Sequence, residues 1–407
     1  MGSEPPSRDP GEAGPFTAGT ANPAGRDQGA GAESGCPMPS PWPDPLILAP
    51  LTKGGNLPFR RLCVDFGAVV TMSEMAFAGP LVRGIRKELA LLRKGPTEPC
   101  FGVQLAASKP EMAIQAARAA LERGAAFVDL NAGCPIPEAV HKGMGACLLD
   151  RPRNLERILR EMTRALEAPV TVKLRSGFKD SRINVLETSR LAEEAGVAGI
   201  VVHGRTREQR YTRAADWDLV AEVVKARGIP VAGNGDILTW YEARDRLAHS
   251  GAAGLMLGRG ALIKPWLFQE IHEGRELALS ASQRVAVYRR LAGYFREHFG
   301  EDEHGRQRSV DFLGWHFAFF HRYRPLPAEE WLERSREHPL LQTRLDPVPT
   351  EDPLEMVLAC PAASTHRQIA EILLESGDDG EAEERLAALA CGLPPPEERP
   401  RRAEDQA

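Results

Sequence analysis

From Pro45 onward, short apolar or β-branched runs alternate with longer stretches whose apolar residues recur at helical spacing. The runs are Leu46–Ala49, Ala68–Met72, Cys100–Leu105, Ala126–Leu130, Val170–Leu174, Gly199–His203, Pro230–Gly233 and Ala253–Leu257. Between them lie amphipathic stretches such as Glu111–Arg123, Asn154–Leu166, Val185–Ala195, Trp217–Lys225 and Trp240–His249, in which Leu155, Ile158, Leu159 and Met162 show the repeat. Several open on helix-start residues, as in Ser108-Lys109-Pro110. Alternation of strand and helix predicts a parallel sheet covered by helices. Eight repeats are the number of a closed (β/α)₈ TIM barrel, an α/β fold. An open doubly wound sheet would want a glycine-rich fingerprint after its first strand, and Ala49-Pro50-Leu51-Thr52-Lys53-Gly54-Gly55 is not one.

Beyond about residue 278 the strand signals stop. Gln283–Phe299, Val310–Tyr323 and His366–Leu374 read as amphipathic helices. The expected organisation is therefore a segment 1–44 without fixed structure, a barrel over 45–279, a small all-α domain over 280–376 and a charged, Pro-rich tail over 377–407. Composition supports the two ends of this division, because the first forty or so residues hold almost no large apolar side chains to offset the entropy of ordering them. They also lack the basic start and apolar run of a signal peptide. The chain has no long apolar segment, so no membrane contact is expected.

Seven scattered cysteines without a CxxC pair fit neither a disulfide framework nor a zinc site, which points to a reducing, cytoplasmic compartment with no bound metal. The formal net charge of −5 means that any nucleic-acid contact rests on local positive charge. Arg284, Arg289, Arg290, Arg296, Arg306, Arg308, Arg322 and Arg324 supply such a region within the helical segment.

In a (β/α)₈ barrel the chemistry belongs at the carboxyl ends of the strands. Polar residues gather there: Gln104 on the third strand, Asn131 and Cys134 after the fourth, Lys173 and Arg175 on the fifth, His203 and Arg205 on the sixth. The seventh strand ends in Asn234-Gly235-Asp236 and the eighth in Gly258-Arg259, the two loops that commonly hold phosphate in this fold. A lysine within the strand Val170–Leu174 needs an anionic or electron-rich partner in the barrel mouth. Cys134, between Gly133 and Pro135, is a positioned thiol able to donate a proton, whereas Cys63, Cys100 and Cys147 read as small buried hydrophobes. No Ser/His/Asp constellation, HExxH or P-loop is present.

Taken in order, ILAPLTKGGNLPFRRLC, FGVQL, DLNAGCPI, KGMGACLL, VKLRSG, VVHGRTREQRYT, GNGDI and GRGALIKPWLF resemble the tRNA-dihydrouridine synthases from about Leu46 to Ile271. Their detail is most similar to the eukaryotic dihydrouridine synthase 3 branch. The resemblance implies an FMN in the barrel mouth, reduced by NADPH (or NADH), and a tRNA uridine as the group reduced. It makes Cys134 the proton donor. It assigns Pro50, Leu51, Thr52, Gln104, Lys173 and His203 to the flavin, and Asn234, Gly235, Asp236, Gly258 and Arg259 to its ribityl-phosphate end. Asn131, Lys142, Arg175 and Arg205 are placed around the uracil. The partner implied is tRNA rather than DNA, bound by a monomer with its helical domain as a clamp. Relatives in that branch carry CCCH zinc fingers ahead of the barrel; here only Cys36 stands there, with no histidine before His141. The variable-loop uridine that the branch suggests therefore stays open against the D-loop uridines of the wider family. Two other readings remain: an FMN reductase of a free pyrimidine or dihydroorotate-type substrate, and a non-catalytic tRNA-binding protein.

Overall fold

The computed structural model describes residues 40–393 apart from 327, 329, 330 and 333–348. Eight strands form the barrel: β1 Leu46–Leu48, β2 Val70–Met72, β3 Cys100–Ala106, β4 Phe127–Ala132, β5 Val170–Arg175, β6 Gly199–His203, β7 Val231–Asn234 and β8 Gly254–Leu257. All are parallel. Each pairs with the next, and Leu46–Leu48 pairs with Leu255–Leu257 to close the ring. A short strand, Ala76–Phe77, extends the far end of β3.

Side chains alternate across each strand, and this sorts the barrel interior into layers. Ile47, Val70, Phe127 and Val201 pack in an apolar lower cluster with Ala232 and Met256. Above it the inward positions turn polar: Gln104, Asp129, Asn131, Thr171, Lys173, Arg175, His203 and Asn234. The register places Gln104 beside Asp129, Asp129 beside Thr171, and Asn131 beside Lys173. Outward residues such as Val128, Leu130, Val172 and Ile200 meet the surrounding helices.

Those helices include α1 Leu57–Asp65, α2 Pro110–Leu121, α3 Pro152–Ala165, α4 Val185–Glu194, α5 Trp217–Ala226, α6 Trp240–Ser250 and α7 Arg259–Ile263. Leu155, Ile158, Leu159 and Met162 are the buried stripe of α3, as their spacing predicts. Prolines open α2 and α3, and the Asp216 and Thr239 side chains cap α5 and α6.

The last part is helical: α8 Ala281–Phe299, α9 Glu303–Phe320, α10 Pro353–Leu358, α11 Ala363–Glu375 and α12 Asp379–Ala390. A reciprocal capping box starts α8, with Ser280 Oγ accepting from Gln283 N and Gln283 Oε1 from Ser280 N. The second helix begins well before the expected Val310, because Asp302 caps it through Gly305 N at 2.7 Å. Tyr288 stacks on Phe320 and meets Phe317 edge-on. The bundle is seated on the barrel: His316 stacks on Phe59 of α1 at 4.7 Å, and Tyr323 meets Trp266 at 5.3 Å.

Both ends depart from expectation where the structure describes them. Trp42 lies within the segment expected to lack structure, yet it is buried in the lower barrel cluster. The expected tail contains α12, which buries Ala382 and Leu386 against the bundle. Its Asp378 cap and periodic small apolar residues outweigh the charge that suggested a tail. Residues 1–39 and 394–407 lie outside the described residues.

Candidate functional site

A cavity of about 650 Å³ opens at the carboxyl ends of the strands. Every site residue expected from sequence lines it except Lys142. Lys142 is exposed at the end of the short helix Pro137–His141 and pairs with Glu138 at 2.8 Å, one turn away.

Cys134 follows β4 on a turn that Asn131 holds. Asn131 Oδ1 accepts from Gly133 N at 3.1 Å and from Cys134 N at 2.8 Å. Cys134 O accepts from Ala146 N at 2.9 Å. Gly145, at φ 60°, permits that approach, since a β-carbon there would stand 2.7 Å from Cys134 O. The KGMGACLL run is thus a brace on the thiol loop. Burial raises the Cys134 thiol pKa, only partly offset by a backbone hydrogen bond from Ile136 and then by Arg175 and Lys173, so the group holds its proton at neutral pH.

Lys173 Nζ donates to Asn234 Oδ1 at 2.8 Å, and Asn234 Nδ2 donates to Met256 O at 2.7 Å. Burial and neighbouring Arg175 bring Lys173 down to about 7, with Asp129 acting in the opposite direction. Burial among Arg175, Lys173, Arg205 and Arg259 also holds His203 well below its usual range, leaving a neutral imidazole. Arg205 Nη1 lies 3.2 Å from His203 Nε2, and a guanidinium can only donate, so Nε2 accepts and the ring proton sits on Nδ1. Arg175 is anchored by bonds to Gly133 O at 2.8 Å and Thr206 O at 3.0 Å.

The Asp236 carboxylate takes Arg205 at 2.5 Å, Arg259 at 3.2 Å and Ala215 N at 2.8 Å. It buttresses two arginines, and only its backbone is suited to an anion. Arg205, fully buried, gives donors to Arg213 O, His203 and Asp236. It forms part of the cavity wall and, through these bonds, shapes the loop after β6. Gly235 adopts φ 129°, and a β-carbon there would lie 2.5 Å from Ala215 Cβ.

Further residues line the site that were not expected there from sequence, Arg322 having been read only as part of the basic helical region. Tyr211, in the loop after β6, lies with its ring 4.1 Å from the Arg259 guanidinium. Trp315, Phe319 and Arg322 come from α9 and the turn after it. Spaced i, i+4 and i+7, they share one side of the helix, the opposite choice from core residues Leu313, Phe317 and Phe320. Nothing in α9 alone distinguishes an aromatic facing a cavity from one facing a core. Cys63 and Cys100 are buried as expected, while Cys147 is half-buried.

Comparison with known proteins shows the family. The family profile described as "Dihydrouridine synthase (Dus)" matches residues 47–327. The chain belongs to the dihydrouridine synthase family. It is 41% identical over 336 residues to the Homo sapiens "tRNA-dihydrouridine(47) synthase [NAD(P)(+)]-like", covering 81% of this chain and 50% of that protein. With the Cryptococcus neoformans "tRNA-dihydrouridine(47) synthase [NAD(P)(+)]" it shares 39% over 359 residues, covering 83% and 48%. The Rattus norvegicus counterpart of the human protein is 42% identical over 336 residues, covering 81% and 51%. The chain thus spans about half the length of the curated relatives it matches. Among the described residues, this dihydrouridine synthase family member has no helix long and apolar enough to cross a membrane.

Proposed function

We propose that this chain is a tRNA-dihydrouridine synthase, reducing the carbon 5–carbon 6 double bond of a uridine in tRNA with FMN as cofactor and NADPH (or NADH) as reductant. The observation that carries the reading is the convergence of a protonated thiol, a buried lysine, three side-chain amides and two glycine turns on one cavity. The names of the relatives support tRNA as substrate and position 47 as the target.

The residues present suit FMN. The positive φ of Gly235 and the guanidinium of Arg259 suit a terminal phosphate. Gln104 and Lys173, with the Pro50-Leu51-Thr52 turn and neutral His203, offer donors and acceptors along a planar ring. The low pKa of Lys173 marks a buried cation whose full charge awaits an electron-rich partner. Once bound, FMN supplies the hydride that reaches carbon 6 of the uracil.

The chain's own residues do the rest. Asn131 and Arg175 orient the uracil beside Cys134, whose thiol gives its proton to carbon 5. Hydride and proton together complete the addition of two hydrogens. The thiolate left behind faces Arg175 and Lys173, which lower the cost of its charge until solvent returns a proton. Residues 45–279 form the catalytic unit, and the helices after Ser280 complete the cavity wall and meet the tRNA.

The test is mass-spectrometric mapping of unmodified tRNA after incubation with the purified protein, FMN and NADPH. Gain of the mass of two hydrogens at one uridine is expected. No gain on tRNA, with turnover of free uracil, would replace this reading with that of a free-pyrimidine reductase.

A further inference from the structure

Asp129 lies on β4 two residues before Asn131, turned like it into the barrel and wholly buried. The chemistry above gives it no task. Each of its oxygens has a partner: Thr171 Oγ1 donates to Oδ1 at 2.7 Å, and Gln104 Nε2 donates to Oδ2 at 2.8 Å. A carboxylate only accepts, so Gln104 must present its NH₂ to Asp129 and turn its carbonyl the other way. That carbonyl accepts from Asn131 Nδ2 at 2.7 Å. Asn131 is thereby aimed with Oδ1 toward the N–H groups of Gly133 and Cys134. Either amide could be turned about with little change of shape. The polarity of the whole series is decided at its inner end, by the one member without a donor.

We propose that Asp129 is a positioning residue for Cys134, acting through the side-chain amides of Gln104 and Asn131 to hold the turn that presents the thiol. The inference rests on the reading of Cys134 as the proton donor. Burial raises Asp129 to about 6, which still leaves it ionised and accepting at neutral pH. The competing role is electrostatic, as a negative charge near Lys173. Two substitutions separate these roles. Asp129→Asn removes the charge but can still accept from Gln104 through its oxygen and donate to Thr171 through its NH₂. Asp129→Leu removes both.

The experiment uses the full chain with bound flavin. Stopped-flow absorbance follows flavin reduction by NADPH and, separately, reoxidation by unmodified tRNA. Iodoacetamide labelling with peptide mass mapping reads the reactivity of Cys134. Asp129→Leu should slow tRNA-dependent reoxidation on the order of 10²-fold, the scale of an ångström misplacement. It should leave reduction by NADPH near wild type and change the labelling rate of Cys134. Asp129→Asn, which can still accept from Gln104 but no longer forces that polarity, should fall between wild type and Asp129→Leu in reoxidation and labelling. Gln104→Met keeps the Asp129 charge but breaks the series one step later. It should reproduce the labelling change of Asp129→Leu, and it decides the matter if that variant fails to fold. Wild-type reoxidation in Asp129→Leu would overturn the proposal, as would an Asp129→Asn as slow as Asp129→Leu. If tRNA does not reoxidise the wild-type flavin, the reading of tRNA as substrate fails. The labelling pattern then still decides whether Asp129 positions the Cys134 turn.

Discussion

Cys134 keeps its proton because its loop buries it, and it keeps its place because Asn131 and Gly145 hold that loop from either side. Cys134→Ala should therefore retain the flavin absorbance and lose turnover on unmodified tRNA by about 10²-fold or more, on the scale of general acid catalysis. Lys173 gives a second expectation. Its pKa in the folded, cofactor-free protein is about 7, below the value an unfolded chain would show. The unfolded state therefore binds the extra proton between those values, and stability rises with pH across that window. Below about pH 7 the penalty for the buried cation is complete. Cofactor-free Lys173→Met should then melt above wild type at pH 6, with the difference shrinking as pH rises toward 10. A difference constant with pH would mean that packing, not charge, is being measured. Most of these residues were legible because strand ends are where polar groups in a barrel gather. The role of Asp236 was not. The GNGD run shows an acid near a phosphate loop, but not that its oxygens face Arg205 and Arg259.

At the scale of elements, the strands could be read closely because each has a single apolar run bounded by turn residues. Gly199–His203 coincides with its expected limits, and the others shift by a residue or two. Elements without a long period escaped, among them the hairpin of Gly177–Lys179 with Arg182–Ile183, and the short strand Ala76–Phe77. Charge was the least transparent signal. Several arginines expected to clamp tRNA join helices: Arg284 pairs with Glu355, Arg289 with Asp379, and Arg306 with Glu375. Their acidic partners lie beyond the stretch 284–324 where the arginines cluster, Glu355 and Glu375 later in the expected helical domain and Asp379 just past it, so the local basic run does not show the pairing. Arg289→Ala should accordingly loosen α12 by up to about 1 kcal/mol, as partly exposed ion pairs do, and leave the KM for tRNA unchanged. Chemical denaturation and steady-state kinetics check the two halves of that statement. Gly235→Ala acts on one turn only. Strain at φ 129° and the close approach to Ala215 should cost flavin retention, read as cofactor lost on gel filtration.

Over the whole molecule, barrel and bundle share one cavity and one apolar seam. Phe59, Trp266 and Leu262 are buried beneath α8, α9 and the turn that follows. Cutting the chain before Ser280 uncovers them together and removes Trp315, Phe319 and Arg322 from the site. The barrel alone should aggregate on expression, as measured by sedimentation of the soluble fraction. A soluble, flavin-binding fragment would show that the seam is dispensable. The closed floor of the barrel carries one more consequence. Trp42, Ile47, Val70, Phe127 and Val201 seal the end opposite the cavity. Visitors to the thiol and the flavin loops must then use the same doorway. On the function proposed above, nicotinamide and nucleic acid would take turns at it, each leaving before the other is admitted. Double-reciprocal plots of rate against one substrate, at several fixed levels of the other, should run parallel.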